Sequence, residues 1–253
     1  MMDQFWVDKL MPALRQDSLV SSHPVSVTVS DPKDIESIFD TISYKKGSSI
    51  IHMLEDYLGE EVLRTGLKKY LKKHKFGTAV TKDLWKSLAE ATENKIDVEA
   101  MMNTWTLQTG YPLITLTRGD VVGNEKQGWC IKQSRFLSSS QELTNKSTHN
   151  DSSSSWFVPV QLMSDISPKQ MVMLNAASNN SNGHVELPTK LKWVKANVGG
   201  SGYYRVQYPP EVYRCCTVFL LIILVSLKFS AFSDLGGTEK SVDTGTQCVQ
   251  RCG

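Results

Sequence analysis

Apolar residues recur at helical spacing through the first 110 positions of the chain and alternate with polar ones beyond them. After Asp31-Pro32, the residues Ile35, Ile38, Phe39 and Ile42 fall at i, i+3, i+4 and i+7, which predicts an amphipathic helix. A second helix is expected to begin near Tyr44 and to carry Ile50, Ile51, Leu54, Tyr57 and Leu58 before Gly59 stops it. A third, over 60–74, should bury Val62, Leu63, Leu67, Tyr70 and Leu71. Thr81 reads as the N-cap of a fourth, with Asp83 in its first turn and Leu84, Trp85, Leu88 and Ala91 inward. Asp97 caps a fifth through Met101, Met102 and Trp105, closed by Gly110 with Pro112 just beyond. Short connections between successive helices predict an antiparallel helical array.

From Tyr111 the period changes to two. Alternation over 113–117, 129–133, 156–162, 171–174, 191–198 and 203–208, with Gly-, Asn- and Ser-rich turns between, predicts a small antiparallel β-sandwich. The stretch 138–155 is a polar loop too rich in Ser and Asn to carry core. Helices first and strands second make the chain α+β. After Pro209-Pro210 the character breaks again: 215–227 is a mostly apolar run of 13 residues between Arg214 and Lys228. As a helix it would reach about 20 Å against a hydrocarbon core of about 30 Å, short for a membrane span. Residues 212–253 therefore read as a tail unrelated to the fold.

Composition narrows the chemistry. A hydrophobic fraction of 40%, a charged fraction of 21% and a net charge of +2 describe an ordinary globular chain and give no reason to expect nucleic acid. The lysines at 68, 69, 72, 73 and 75 have the spacing of one solvated helix face. Five cysteines do not make a disulfide framework; Cys130 stands alone in a strand-like segment, and Cys215, Cys216, Cys248 and Cys252 lie in the tail without a C-x-x-C pair. Three N-x-Ser sequons, at Asn145, Asn150 and Asn179, lean toward a lumenal or extracellular parent and are candidate glycosylation sites. Residues 1–6 have neither the basic nor the apolar region of a signal sequence.

Two runs carry a family resemblance: Ser43-Tyr44-Lys45-Lys46-Gly47-Ser48-Ser49-Ile50-Ile51, and Trp105-Thr106-Leu107-Gln108 with Gly110-Tyr111-Pro112. Joined by Asp17-Ser18-Leu19 with Ser22-His23-Pro24, and by 202–208 near the end, they resemble the gluzincin zinc aminopeptidases. That group includes alanyl, glutamyl, leucyl-cystinyl and endoplasmic-reticulum aminopeptidases. The resemblance covers residues 1 to about 211. It implies that 1–110 is the helical C-terminal half of a thermolysin-like catalytic domain and 111–211 the β-sandwich domain that follows. It also implies a role for Tyr44: donating a hydrogen bond to the oxyanion that forms when a zinc-activated water attacks a peptide carbonyl. A phenol suits this because it is neutral near pH 7. Read without the resemblance, Tyr44 is a tyrosine packing its ring at a helix start.

The departures bear on activity. No H-E-x-x-H occurs, nor the Gly-Ala-Met-Glu-Asn motif that grips a substrate's amino group in the family. Of the five histidines at 23, 52, 74, 149 and 184, His52 has an acid, Glu55, at helical spacing, two ligands where a catalytic zinc needs three. The chain is expected to be a partial metallo-aminopeptidase, supplying Tyr44 but binding no zinc and inactive alone. The alternative is a non-catalytic truncated form that binds its parent enzyme or a peptide through an exposed apolar helical face, which would also promote self-association. Membrane contact through the tail is a third expectation, weaker because the apolar run is short.

Overall fold

The structure, a computed structural model, describes residues 2–29, 31, 33, 35–120, 127–138, 154–175, 185–186, 191, 193–210 and 212. The sequons at Asn145, Asn150 and Asn179, the apolar run 215–227 and all tail cysteines lie outside them. Six α-helices precede seven strands among the described residues: α1 (Met2–Phe5), α2 (Met11–Asp17), α3 (Gly47–Leu58), α4 (Glu60–Lys73), α5 (Thr81–Ala91) and α6 (Val98–Thr106). A π-helical segment, Trp6–Leu10, joins α1 to α2, and a second, Ile42–Lys46, leads into α3.

The helical boundaries follow from local chemistry. Gly59 stops α3 with φ of 90°, a conformation disfavoured for residues with a Cβ. The Asp97 carboxylate accepts the Ala100 amide at 2.9 Å and caps α6. Helix α5 departs from expectation: Val80 holds the cap position and Thr81 is the first helical residue. The first-turn acid supplies the polar closure, Asp83 accepting the Val80 amide at 3.0 Å.

Two expectations fail for identifiable reasons. The helix expected after Asp31-Pro32 gives way, among the described residues, to 3₁₀ structure that includes Glu36–Ile38, and Asp40 caps a new helical segment that begins beyond it. Asp31 accepts from the Lys33 amide at 2.9 Å and Asp40 from the Ser43 amide at 2.9 Å. Its apolar residues Ile35 and Phe39 are accordingly exposed. On α4, Leu63 is buried but Leu67 and Leu71 are not, Leu71 being 65% exposed. Gly66 explains where that helix makes its close approach: a Cβ there would lie 2.6 Å from Leu88 Cδ2, so the backbone of α4 rests on α5.

The strands form two sheets. In the first, of order β5-β2-β1-β7, β1 (Pro112–Asp120) pairs antiparallel with β2 (Gln127–Arg135) in the register Ile114↔Gln133 and Leu116↔Ile131. In the second, β3 (Val158–Ser164) lies between β4 (Gln170–Leu174) and β6 (Val194–Ala196), both antiparallel to it. The expected all-antiparallel pairing does not hold: β7 (Arg205–Gln207) runs parallel to β1, with Ile114 opposite Val206. Alternation of apolar residues fixes which face a strand buries, not which way it runs. Strand β5 (Val185–Glu186) completes the first sheet, and the strand expected over 191–198 shortens to β6 and a 3₁₀ turn, Val198–Gly200. Cys130 sits on β2 as a half-buried free thiol.

One continuous core runs from Leu14, Leu54 and Leu88 in the helices to Leu116, Val160 and Leu174 in the sheets. An aromatic seam joins the halves: Trp105 lies 6.3 Å from Trp156 and 6.4 Å from Tyr203, and Tyr203 5.6 Å from Tyr111. The Trp105 indole also donates to the Phe157 carbonyl at 2.9 Å, tying α6 to the approach of β3. The turn out of α6 needs Gly110, whose φ is 84° and whose missing side chain leaves room for Arg135 Nε, 2.7 Å from where a Cβ would stand. Gly110→Ala is expected to lower stability by about 1–3 kcal/mol. A urea midpoint that falls at unchanged slope is the measurement that checks it.

Candidate functional site

Tyr44 stands in the π-turn Ile42–Lys46, where the Gly47 amide reaches the Ile42 carbonyl five residues back. Such turns accommodate an extra residue and recur at functional positions. Residues two apart on a helix point about 200° from each other. Burying Lys46 therefore turns Tyr44 outward, and its side chain is 62% exposed while Lys46 is 0% exposed. The Tyr44 ring keeps one aromatic neighbour, Phe39, at 6.3 Å between centroids. A cleft of about 400 Å³, bordered by Val25, Ile38, Trp85 and, on α3, Gly47 and Ile51, opens three to seven residues along from Tyr44.

Lys46 enters the interior against Asp17, also fully buried, with Nζ 2.9 Å from Oδ2. Its ammonium also donates to the carbonyls of Gly110 at 3.0 Å and Gln108 at 3.3 Å, which uses all three of its hydrogens. Asp17 is equally saturated. Oδ1 accepts from Ser22 Oγ at 2.6 Å and the Gly110 amide at 3.0 Å, and Oδ2 also accepts from the Tyr203 hydroxyl at 3.2 Å. The Lys46 ammonium lies 5.8 Å from the centre of the Tyr203 ring. Burial pulls the Lys46 pKa below its ordinary value, and the Asp17 charge pulls it back. Burial, reinforced by that same negative charge, holds the Tyr203 phenol well above 10, so it remains a donor. Tyr111, packed on Tyr203, is pushed up to about 12 chiefly by burial, against the opposing Arg205 guanidinium that donates to it at 3.0 Å.

A second ion pair brackets Tyr44 from the outside. His23 donates from Nε2 to Asp40 Oδ2 at 2.8 Å and from Nδ1 to the Pro24 carbonyl at 2.8 Å. Both partners are acceptors, so the geometry calls for the doubly protonated ring. Asp40 in turn holds the first turn of the π-segment: its side chain accepts the Ser43 amide and its carbonyl accepts the Tyr44 amide at 3.2 Å. Burial works against the charged imidazole, but the Pro24 carbonyl, the Asp40 carboxylate and the more distant Asp17 outweigh it and raise its pKa above 6.5. For Asp40, burial is likewise outweighed by the Ser43 amide and His23, and its pKa falls below 3.8.

These residues do not fit a catalytic zinc. His23 is committed to Asp40 and Pro24, and His52 faces Glu55 at 3.4 Å with its ring edge-on to Phe5. Among the described residues no three His, Cys, Asp or Glu side chains converge. No helix among them is long and apolar enough to cross a membrane. The sequence reading singled out Tyr44 and the runs containing Asp17, Lys46, Gly110 and Tyr203, but not that the last four meet. The signal available for Lys46 was a lysine two residues beyond the tyrosine, on the apolar side of the helix; nothing in the sequence named its partners.

Comparison with known proteins defines the class first: residues 1–105 match the family model described as the Peptidase family M1 domain. Glutamyl aminopeptidase of Bitis rhinoceros is 37% identical over 224 residues, covering 87% of this chain and 22% of the relative. Aminopeptidase A of Gloydius brevicauda is 37% identical over 217 residues, covering 85% and 21%. The thyrotropin-releasing hormone-degrading ectoenzyme of Homo sapiens is 34% identical over 219 residues, covering 83% and 20%. The chain belongs to the M1 aminopeptidase family, a zinc-dependent family that removes N-terminal residues. It spans about a fifth of the length of these relatives.

The two ion pairs respond differently to perturbation. Lys46→Met leaves the Asp17 charge buried without its counter-charge and is expected to cost about 3–5 kcal/mol, read by chemical denaturation. The His23–Asp40 pair is pH-dependent. Because the folded His23 pKa is raised, its contribution is full below 6.5 and disappears as pH climbs through the raised value. Asp40, with a lowered pKa, contributes fully above 3.8 and loses its effect as pH falls through the lowered value. Protection of the Ser43 and Tyr44 amides from hydrogen exchange, corrected for intrinsic rate, should therefore be greatest between those limits. Asp40→Asn should flatten the alkaline fall.

Proposed function

We propose that this chain contributes the transition-state hydrogen-bond donor of an aminopeptidase, and that Tyr44 is that donor. When a nucleophile adds to the carbonyl of a peptide's first bond, negative charge gathers on the oxygen. A neutral phenol held at that oxygen gains most of its hydrogen-bond energy in the tetrahedral state, so it accelerates the step rather than tightening substrate binding. The observation that carries the reading is the contrast within one turn: an exposed hydroxyl-bearing side chain at Tyr44 on a backbone anchored by a fully buried Lys46. Such a donor is accessible to a ligand and costs little reorganisation.

In this reading residues 1–110 are the closing part of a catalytic domain, 111–211 a β-sandwich domain and 212–253 a tail foreign to both. The metal and the amino-end recognition groups come from outside this chain, consistent with its lack of H-E-x-x-H and with the committed partners of His23 and His52. In this reading the parent belongs at the plasma membrane or cell exterior or in the endoplasmic reticulum lumen; the three sequons and a relative named as an ectoenzyme support it. A second reading, a non-catalytic form that binds a peptide or its parent, is favoured by the exposed side chains of Val7, Met11 and Phe39 near the π-segments.

The test uses an enzyme in which this sequence is joined to the family's metal-binding segment. Tyr44→Phe should lower kcat by about 10²–10³, about 2.7–4 kcal/mol, at unchanged zinc content. Equal turnover by the phenylalanine variant would remove the catalytic assignment. Chelator-sensitive peptidase activity from the 253-residue chain by itself would overturn the statement that it lacks a metal site.

A further inference from the structure

The residues that complete the Asp17–Lys46 pair come from opposite ends of the fold. Ser22 belongs to the segment after α2, Gly110 and Gln108 to the turn between α6 and β1, and Tyr203 to the chain just before β7. Tyr203 holds the helical side at two points. Its hydroxyl donates to Asp17, and its amide approaches Met53 Sδ of α3 at 3.5 Å. The element between those points is the π-turn that carries Tyr44.

We propose that Tyr203 is a positioning residue for Tyr44, the sheet portion setting the direction of the phenol through the buried Asp17–Lys46 pair. This rests on the reading of Tyr44 as the transition-state donor. The argument is one of saturation. Asp17 accepts four hydrogen bonds and Lys46 donates three, so neither has a spare partner to exchange. Removing the Tyr203 hydroxyl leaves one lone pair of a buried carboxylate uncompensated. Lys46 Nζ already touches Oδ2 at 2.9 Å and is held by the Gly110 and Gln108 carbonyls, so a re-seated Asp17 carries the pair with it and passes the displacement to the π-turn that bears Lys46. A π-turn carries one residue more than the α-helix it feeds, so its phase is a soft coordinate. Two positions from Lys46, that shift appears at Tyr44.

The coupling can be read without any catalysis. In the full chain, 3-fluorotyrosine placed at position 44 reports its distance from the Phe39 ring through the ¹⁹F chemical shift. Tyr203→Phe should move and broaden that resonance. Tyr204→Phe, whose hydroxyl accepts from the Gln161 amide at 3.4 Å away from the pair, should leave it in place. If Tyr203→Phe does not fold, the double substitution Asp17→Asn with Lys46→Met removes both charges together and is expected to give the same displacement. A folded Tyr203→Phe protein, or failing that a folded double variant, with a superimposable resonance at 44 overturns the proposal. In the enzyme used to test Tyr44, Tyr203→Phe should lower kcat roughly tenfold with KM unchanged, the mark of misplacement. The two ideas fail separately. Full turnover by Tyr44→Phe would sink the catalytic reading and leave the fluorine result standing. An unmoved fluorine signal beside a slow Tyr44→Phe would sink the coupling alone.

Discussion

A fully buried lysine facing a fully buried aspartate is the constraint on which the arrangement around it depends. Taking both charges from water costs several kcal/mol each, and their attraction recovers this only where the remaining hydrogen-bonding capacity is filled. That requirement reaches across the chain. It needs a hydroxyl from position 22, a turn at 110 that presents its amide to one charge and its carbonyl to the other, and a phenol from position 203. Gly110, with a φ of 84°, presents both groups of one residue to the pair. The helical and sheet portions are thus held by a polar knot as well as by shared apolar area.

Around the knot lies an aromatic seam that excludes water. Trp105, Tyr111, Trp156 and Tyr203 are all among the largest fully buried side chains. Edge-on contacts between Tyr203 and both Trp105 and Tyr111 fix the phenol's ring so that its hydroxyl meets Asp17. A low local dielectric strengthens each hydrogen bond in the knot and penalises each missing one. Packing and electrostatics are not separable contributions here: the rings make the polar bonds strong, and the polar bonds fix the rings.

Much of this was legible in the residues and some of it was not. The helices over Gly47–Leu58, Thr81–Ala91 and Val98–Thr106 follow from period and cap signals, Gly59 and Asp97 above all. The strand positions follow from alternation. What failed had physical causes of two kinds. Periodicity failed at 31–42, where Asp40 interrupts the run by capping the segment that follows at the Ser43 amide. Direction was invisible at β7, since alternation is the same read either way and the parallel match to β1 is set by the route the chain takes from β6. At the candidate site, the run that contains Tyr44 was singled out in the sequence. The meeting of residues 17, 46, 110 and 203 was not, because no local pattern encodes a contact between residues 186 positions apart.

The two ion pairs flanking Tyr44 differ in kind, and the difference separates two tasks. Asp17–Lys46 is sealed, so changes of salt reach it weakly, and it fixes the inner side of the π-turn. His23–Asp40 is about a third exposed, 34% and 33%, and holds the entry to the same turn through an imidazolium whose pKa is raised above its ordinary value. In the role proposed for Tyr44, an exposed donor needs a stiff base to meet a developing oxyanion without reorganising, and the inner pair would supply that stiffness. The outer pair acts on the residues just before the phenol, where the backbone has no regular helix to support it. A turn clamped permanently on one side and titratably on the other can keep its phase while its entry loosens. That division follows from burial alone: the same carboxylate–cation chemistry is insulated at one contact and open to solvent at the other.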